Sequence, residues 1–459
     1  MTNPGRRTLL LAVIGVSLVV LTAVGMTILI SGDAPLDDNR RVIAFVAGIC
    51  MAGLLWLGAV AIVRQGPLPA RTIWLVLIVG FAMRAITLAG PPLLSSDIFR
   101  YVWDGRVQLA GINPYRYIPM DPALQSLRDD AVYPHINRAD YARTVYPPAA
   151  QLVFAVAAAV TPGIYGMKLM MLLFDALTIA VLWRLLRIAG RNPAELLIYA
   201  WLPLPVWEFV GNAHIDAVAA GLLALALLVS VRGRVVWSGI LLAAATLTKF
   251  LPAVVLPALW RPPDWRLPAG FAATLAVLYL PYAGAGWHVF GFLDGYASEE
   301  GFASGHGFFV IQLLDSIAAV PDWAPRVYLV LALGVLGLLS LRFAFTGRMP
   351  MAPAARLALQ ARQAVILGAV VLVAVSPHYP WYIAWLVPLM ALYPNWVTLT
   401  YVCAFFYGFT TRWAVPGPSM FVLNSWIYFL VLWVFVGEVV WRQWGLERWL
   451  DCKGTANAE

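Results

Sequence analysis

Apolar runs of roughly 17 to 25 residues recur along almost the whole chain and are the strongest constraint on its fold. Such a run matches the length that a helix needs to cross a hydrocarbon core of about 30 Å. The chain has 459 residues, of which 62% are hydrophobic and 12% charged, and an ordinary globule cannot bury that much apolar surface. A membrane barrel would instead show short strands of alternating hydrophobicity. The sequence therefore predicts an all-α integral membrane protein, a polytopic helical bundle.

The apolar runs define about fourteen candidate spans, so we expect about 12 to 14 transmembrane helices. The stretches 235–260 and 364–393 are the weakest, because Pro and polar residues split them into segments that need tilt or re-entry. The candidate spans are 8–30, 42–63, 72–94, 164–187, 194–210, 214–231, 235–248, 250–260, 267–283, 324–343, 364–377, 381–393, 396–412 and 420–441.

The basic residues concentrate at the ends of these runs. The net charge of +8 does not indicate nucleic-acid binding, because the charges do not form one basic face. With the N-terminus inside, they fall on one side of the bilayer, which the positive-inside rule makes the cytoplasm. These basic residues are Arg64 and Arg71, Arg184, Arg187 and Arg191, Arg232 and Arg234, Arg261 and Arg266, Arg342 to Arg362, and Arg442 to Lys453. We expect a multi-pass protein of the cytoplasmic (inner) membrane.

The same threading divides the chain into four parts. Residues 1–94 are three N-terminal transmembrane helices, and 95–163 are a large extracytoplasmic catalytic loop ending in an interfacial helix. Residues 164–441 are a transmembrane bundle, and 442–459 are a cytoplasmic tail. The polar loop, the turn 212–216, the loop 283–307 and the turn 376–382 all fall on the extracytoplasmic side. The active site is therefore expected there.

Two carboxylates open the polar loop. Asp97 and Asp104 are seven residues apart and would share one face of a helix, with Arg100 alongside. Either a capping residue with a surface ion pair or a general base that takes a proton from a hydroxyl would explain them. We assign Asp97 and Asp104 as the catalytic candidates.

The loop is also rich in aromatic residues. Tyr101, Tyr115 and Tyr146 accompany Arg100, Pro and Asp residues there. Aromatic faces with nearby hydrogen-bonding groups suit sugar rings, although anchoring at the membrane interface is an alternative for any single one of them. We assign Arg100 and these tyrosines to substrate binding.

Glu208, Asn212, His214 and Asp216 cluster at the mouth of a predicted helical hairpin. His214 and Asp216 could ligate a metal, but the sequence offers no third ligand beside them. A divalent metal is possible but not favoured. We expect no metal and no other cofactor, and assign His214 and Asp216 to substrate hydrogen bonding.

Lys249 lies within an apolar hairpin, where a charge is costly unless it faces a cavity or a partner. A phosphate at the bilayer surface would be one partner, and an intramembrane acid such as Asp175 would be another. The outer turn 376–382 adds His378, Tyr379 and Trp381, and its prolines expose backbone carbonyls that should line a polar cavity. We assign Lys249, His378 and Arg412 to a phosphate, and Tyr379 and Trp381 to substrate.

A series of short motifs runs through the polar segments in a fixed order. The motifs are Asp97-x-x-x-Tyr101-Val102-x-Asp104, Gly111-x-Asn113-Pro114-Tyr115, Tyr146-Pro147-Pro148, Asn212-Ala213-His214-x-Asp216, Lys249-Phe250-Leu251-Pro252 and Pro377-His378-Tyr379-x-Trp381-Tyr382. This series resembles the GT-C class of membrane glycosyltransferases. It is most similar to the polyprenyl-phosphate-mannose-dependent mannosyltransferases of actinobacteria and to the catalytic mannosyltransferase that begins glycan assembly on GPI anchors.

The resemblance implies a hexosyltransferase that moves a sugar, with mannose favoured, from a polyprenyl-phosphate donor to a glycan, glycolipid or lipid acceptor. In that family a catalytic aspartate lies in the first large extracytoplasmic loop, which maps to Asp97. A sugar on a lipid phosphate has a good leaving group, so one base suffices for an inverting displacement. Two alternatives stay open: a flippase for lipid-linked glycans, and a polymerase or ligase with a polyprenyl-pyrophosphate donor.

Overall fold

All regular structure in the described part of the chain is helical. The computed structural model describes residues 3–31, 39–302, 304–346, 351–409 and 419–443, and no strand occurs among them. The predicted all-α class is thus confirmed. The predicted tail 442–459 lies, beyond Gln443, outside the described residues.

Eight helices among the described residues are long and apolar enough to cross a membrane, and the chain is a multi-pass membrane protein. A ninth span results if the bent pair Pro203–Gly211 and Asp216–Val231 is counted as one. The eight are Pro4–Ile30 (α1), Asn39–Val63 (α2), Thr72–Ala89 (α3), Ile164–Ile188, Arg266–Glu299, Ala324–Phe345, Pro353–Val375 and Met420–Trp441.

The predicted count of 12 to 14 spans is not confirmed, because several apolar runs fold into helices too short to span. Val235–Thr246 has 12 residues, hence a length of about 18 Å against a core of about 30 Å. Proline interrupts most of the other short runs. They fold as Leu251–Val255, Leu256–Leu259, Pro380–Leu386, Val387–Leu392, Trp396–Ala404 and Phe405–Gly408.

The run 235–260 illustrates this effect. Val235–Thr246 leads into a turn at 247–250, and the chain continues through Leu251–Val255 and Leu256–Leu259. The backbone carbonyl of Leu247 accepts hydrogen bonds from the N–H groups of Ala149 and Ala150, at 3.0 and 3.1 Å. The tip of this hairpin therefore docks on the start of a helix in the polar loop.

Two helices organise the polar loop, Asp97–Leu109 (α4) and Pro148–Val160 (α5). They pack against each other at Gly105, where an added Cβ would lie 2.4 Å from the carbonyl oxygen of Phe154. Only glycine permits so close a backbone approach. The loop between them adds the short helices Pro122–Leu127 and Tyr133–His135. The loop is thus an ordered layer that holds the start of α4 in place.

The run 193–231 is the most irregular apolar part of the bundle. It contains Pro193–Leu196, Leu197–Ala200, Pro203–Pro205, a π-helical turn at Val206–Gly211, and the helix Asp216–Val231. The helical segment Pro203–Gly211 and the helix Asp216–Val231 meet at an angle of 119°. Residues 212–215 form the bend, so their side chains lie where two apolar helices end rather than against lipid.

A buried ion pair joins α3 to the helix Ile164–Ile188. Arg84 pairs with Asp175, and the hydroxyl of Tyr199 donates a hydrogen bond of 2.6 Å to the same carboxylate. Arg84 also donates to the carbonyl of Ala200 at 2.7 Å. Charges inside a membrane bundle need such partners, and this one has several. The carboxylate of Asp175 is therefore bound by Arg84 and Tyr199, and Asp175 is not the partner of Lys249.

Candidate functional site

The main cavity described in the structure has a volume of about 360 Å³ and lies where the polar segments meet. Its walls come from α4 and the loop 137–147, the bend at 214–215, the hairpin tip 248–251, the segment 292–302 and the region 372–382. This size is within the range of small-molecule sites. The segments that threading placed on one side of the membrane thus converge on a single cavity.

Asp97 is the first residue of α4, is half-buried and lines the cavity. Its backbone N–H donates to Oγ of Ser95 at 3.2 Å. Asn137 Nδ2 donates to Asp97 Oδ1 at 3.1 Å and to Oγ of Ser96 at 3.3 Å. The amide fixes one carboxylate oxygen and leaves the other available to a ligand in the cavity.

Asp104 lies on the same helix but belongs to a different environment. It is 1% exposed and does not line the cavity. Its Oδ1 is 2.9 Å from Nε of Arg100, and its Oδ2 accepts 3.0 Å from Nε2 of Gln151. Arg100 does line the cavity and also donates to the carbonyl of Ala142 at 3.2 Å. Asp104 therefore orients Arg100 and anchors α4 to α5.

Tyr101 and Tyr146 line the cavity beside Asp97, with ring centroids 4.8 Å apart in an edge-to-face arrangement. Burial raises the pKa of both phenols well above the ordinary value, and the negative charge of Asp97 raises it further. Tyr115 is outside the cavity wall, where its hydroxyl donates to the carbonyl of Tyr146 at 2.7 Å. Two tyrosines thus form neutral walls and the third supports them.

The bend at 212–216 brings His214 into the cavity wall. Glu208 Oε2 lies 3.3 Å from Nε2 of His214 and accepts from Nδ2 of Asn212 at 3.2 Å. The ring of His214 contacts Trp381 at a centroid distance of 4.5 Å. No group of three His, Cys, Asp or Glu residues suited to a metal occurs among the described residues.

Lys249 lines the cavity and is bound by Asp216. Its Nζ lies 2.8 and 2.9 Å from the two carboxylate oxygens, and Asp216 itself is fully buried outside the cavity wall. The ammonium also lies over the ring of Tyr382, 4.6 Å from its centroid. The helix Asp216–Val231 and the hairpin tip are therefore joined at the cavity by this ion pair.

The outer turn 376–382 contributes an aromatic wall. Tyr379 stacks on Trp381 with ring centroids 4.6 Å apart and planes 9° apart, and both line the cavity. His378 is not among the lining residues; its Nδ1 is 2.8 Å from Oε2 of Glu300. Arg412 lies outside the described residues.

Several lining residues were not predicted from the sequence. Asn137, Arg138, Arg143 and Glu300 lie in segments without periodicity, which pattern reasoning could not assign. The adjacent acids Glu299 and Glu300 in a loop assigned to the same side were a usable signal. Tyr382 also lines the cavity, and the motif Pro377-His378-Tyr379-x-Trp381-Tyr382 was the signal that could have located it.

Backbone strain is concentrated in this site. The non-glycine residues with positive φ in the described chain are Arg138 at 57°, Ala213 at 55° and Ser376 at 48°. Arg138 lines the cavity, Ala213 precedes His214, and Ser376 precedes the lining residue Pro377. Residues held in this sparsely populated region cluster at functional sites more often than elsewhere.

The fold and the cavity define the class: a multi-pass helical membrane protein with a polar and aromatic site beneath an ordered loop layer. The chain belongs to the family described as alpha-(1→6)-mannopyranosyltransferase, N-terminal domain, whose model matches residues 8–261, more than half of it. The resemblance predicted from the motifs is confirmed.

One curated relative supports the same grouping. The chain is 26% identical over 194 residues to alpha-(1→6)-mannopyranosyltransferase A of Corynebacterium glutamicum. The matched region covers 39% of this chain, and it spans only about a third, 36%, of that relative's length. No solved structure matches the chain at a significant level.

Proposed function

We propose that this protein transfers a mannosyl group from a polyprenyl-phosphate donor to a glycan or glycolipid acceptor. The observation that carries the proposal is that Asp97 and Lys249 line the same cavity, one offering a base and the other a cation. Family membership supports mannose as the sugar. The apolar side chains of Phe250, Leu251 and Leu372 in the cavity wall suit the first isoprenoid units of a lipid donor.

In the proposed reaction Asp97 removes the proton from an acceptor hydroxyl. The hydroxyl oxygen then attacks C1 of the donor sugar, a new C–O bond forms, and the bond from C1 to the phosphate oxygen breaks. The electron pair leaves with the polyprenyl phosphate, and the proton stays on Asp97 until water removes it. Asn137 would hold the base in place through Oδ1, leaving Oδ2 for the acceptor.

One carboxylate is enough for this chemistry. A glycosidase needs a second, because a departing alkoxide must be protonated. A phosphate ester departs as an anion that cations can stabilise. Asp104 is not needed as a second acid and already holds Arg100 and α4.

Lys249 remains able to bind a phosphate although it is paired with Asp216. An ammonium has three N–H donors, and the two carboxylate oxygens use two of them. Arg143 is a further cation of the cavity wall, with its Nε donating to the carbonyl of Arg116 at 3.3 Å. We propose that Lys249 and Arg143 share the donor phosphate.

The proposed mechanism also fixes the stereochemistry. A single displacement inverts the configuration at C1, so a transferase that makes an α-linked product requires a β-linked donor. The family description names an α-(1→6) product. We therefore propose a β-linked polyprenyl-phosphate mannose as the donor.

We place the reaction on the extracytoplasmic side of the cytoplasmic membrane. Most of the arginines that flank the spans support this, because they fall on the side opposite to the polar loop when the helices are threaded alternately. In this arrangement residues 95–163 are the extracytoplasmic catalytic loop and 164–441 are the bundle that receives the lipid donor.

The test is a donor panel with purified protein in lipid nanodiscs. Mannose is offered on a polyprenyl phosphate in the α and in the β configuration, on a polyprenyl pyrophosphate, and on a nucleotide, each with a mannoside acceptor. Release of free polyprenyl phosphate with formation of an α-linked product from the β-phosphate donor alone supports the proposal. Transfer only from the pyrophosphate, or lipid translocation without a new glycosidic bond, would overturn it.

A further inference from the structure

Glu299 and Glu300 are adjacent in sequence but bind opposite walls of the cavity region. Glu299 Oε2 lies 2.7 Å from Nε of Arg138, and its Oε1 accepts 2.9 Å from the hydroxyl of Tyr141, both in the polar loop. Glu300 Oε2 lies 2.8 Å from Nδ1 of His378, and its Oε1 accepts 3.3 Å from the hydroxyl of Tyr382. The two carboxylates therefore have different roles.

Burial separates the two acids as well. The Glu299 side chain is 31% exposed and does not line the cavity, whereas the Glu300 side chain is 10% exposed and does. A carboxylate taken out of water is costly unless hydrogen bonds compensate it. An ionised carboxylate can accept about four hydrogen bonds; Tyr382 donates one of them, and Nδ1 of His378 lies 2.8 Å from the other oxygen. Glu300 thus keeps acceptor capacity on the cavity side.

An aromatic ring lies on the same turn as the groups that hold Glu300. Trp381 is 6% exposed because His214 and Tyr379 contact its ring, while Tyr379 is half-buried and lines the cavity. His214, Trp381 and Tyr379 thus form a row of three rings along the cavity wall. A flat aromatic face beside a carboxylate is the combination that binds a pyranose, through C–H stacking and hydroxyl donors.

We propose that Glu300 and Tyr379 form the subsite for the acceptor sugar, a pyranose with neighbouring hydroxyls. This inference rests on the proposed function and assigns the acceptor within it. The hydroxyls donate to Glu300 and the ring stacks on Tyr379. His378 and Tyr382 act as positioning residues, since they orient the Glu300 carboxylate.

Charge decides between the two substrates. The donor carries an anionic phosphate, which a carboxylate at the same position would repel. The acceptor sugar is neutral and rich in hydroxyl donors. Lys249 with Phe250 and Leu251 forms the part of the wall that suits a lipid phosphate. Tyr382 contacts both groups, with its ring 4.6 Å from the Lys249 ammonium and its hydroxyl 3.3 Å from Glu300. The wall around Glu300 is therefore left for the acceptor, next to the donor phosphate.

The experiment compares Glu300→Gln with Glu299→Gln, a matched change at the adjacent acid that does not line the cavity. Steady-state KM values are measured separately for the acceptor, methyl α-mannopyranoside, and for the lipid donor. We expect Glu300→Gln to raise the acceptor KM about tenfold or more, as loss of a charged hydrogen bond does, with little change in the donor KM. Glu299→Gln should leave the acceptor KM within about twofold of wild type, because a partly exposed ion pair contributes little free energy.

A second variant and a binding measurement keep the outcome decisive. Tyr379→Leu should raise the acceptor KM in the same way, and it carries the test if Glu300→Gln does not fold. Saturation-transfer NMR with methyl α-mannopyranoside and no donor should show binding to the wild-type protein and to Glu299→Gln, and loss of it in the other two variants.

Different results would contradict the acceptor subsite and the proposed mannosyl transfer. If the wild-type protein transfers mannose but Glu300→Gln and Tyr379→Leu keep the wild-type acceptor KM, or raise the donor KM instead, the acceptor subsite is wrong. If the wild-type protein uses none of the lipid-phosphate donors, the proposed function is wrong, and mannoside binding then decides the subsite alone.

Discussion

The ammonium of Lys249 lies 2.8 and 2.9 Å from the two carboxylate oxygens of Asp216, and only the lysine reaches the cavity wall. Asp216 is therefore a buried counter-ion that holds a cation at the site. Removing one member of a buried pair leaves an uncompensated charge and costs about 3 to 5 kcal/mol. The ion pair therefore contributes to stability, while the proposed phosphate binding depends on Lys249 alone. Mutations can separate the two effects.

Lys249→Met should lower both the unfolding midpoint and mannosyl transfer, because it strands the Asp216 carboxylate and removes the phosphate ligand. The double variant Lys249→Met/Asp216→Asn should regain most of the lost stability and none of the activity. Thermal unfolding in nanodiscs and a transfer assay measure the two effects. Recovery of activity in the double variant would show that Lys249 acts only through structure.

Asn137→Ala should lower kcat by about an order of magnitude, since a hydrogen bond to a charged group contributes about 1.5 to 3 kcal/mol. The amide of Asn137 also contacts Ser96, so Ser96→Ala is the matched control: it removes that contact and keeps the one to Asp97. Equal losses of kcat in the two variants would indicate that Asn137 only braces the loop.

The phenols of Tyr101, which is buried, and Tyr146, which is half-buried, predict an alkaline limit to stability. Because burial raises their pKa in the folded protein, their contribution is fully present below pH about 10, the ordinary phenol value. It is lost as the pH rises further, when the unfolded chain releases these protons and the folded chain retains them. Tyr146→Phe should weaken the fall of the unfolding midpoint above pH about 10, whereas an unchanged slope would contradict a raised pKa of this phenol.

Backbone strain at Ala213 predicts a stabilising substitution. Its φ of 55° is unfavourable for alanine by about 1 to 2 kcal/mol and costs glycine little. Ala213→Gly should therefore raise the unfolding midpoint or leave it unchanged. Ala219→Gly, inside the helix Asp216–Val231, should lower the unfolding midpoint, because glycine in a helix interior costs about 1 kcal/mol of folding free energy. Equal destabilisation by both changes would argue against strain at the bend.

Sequence patterns predicted the all-α fold and the positions of the long spans, because a run near 20 residues has one stable outcome in a bilayer. The predicted number of spans is not confirmed where proline divides apolar runs into short helices, as in 250–260 and 381–393. Asp97, Lys249 and Trp381 could be located in the sequence because charged residues and Pro-bounded aromatics stand out in apolar surroundings.

The partners of these residues could not be read from the sequence. Lys249 pairs with Asp216, 33 positions away, and His378 with Glu300, 78 positions away, and no local pattern encodes such contacts. Asp104 seemed equivalent to Asp97 by helical spacing. In the folded protein Asp104 is buried and bound by Gln151, whereas Asp97 lines the cavity, and this difference arises from tertiary packing.

Single-turnover mannosyl transfer by Asp97→Asn tests whether Asp97 is the base. The matched control is Asp140→Asn, which removes an exposed carboxylate of the same loop that does not line the cavity. With β-linked polyprenyl-phosphate mannose and a saturating acceptor, Asp97→Asn should lower the rate by a factor on the order of 100 or more, with Asp140→Asn near wild type. A wild-type rate in a folded Asp97→Asn protein would show that Asp97 is not the base.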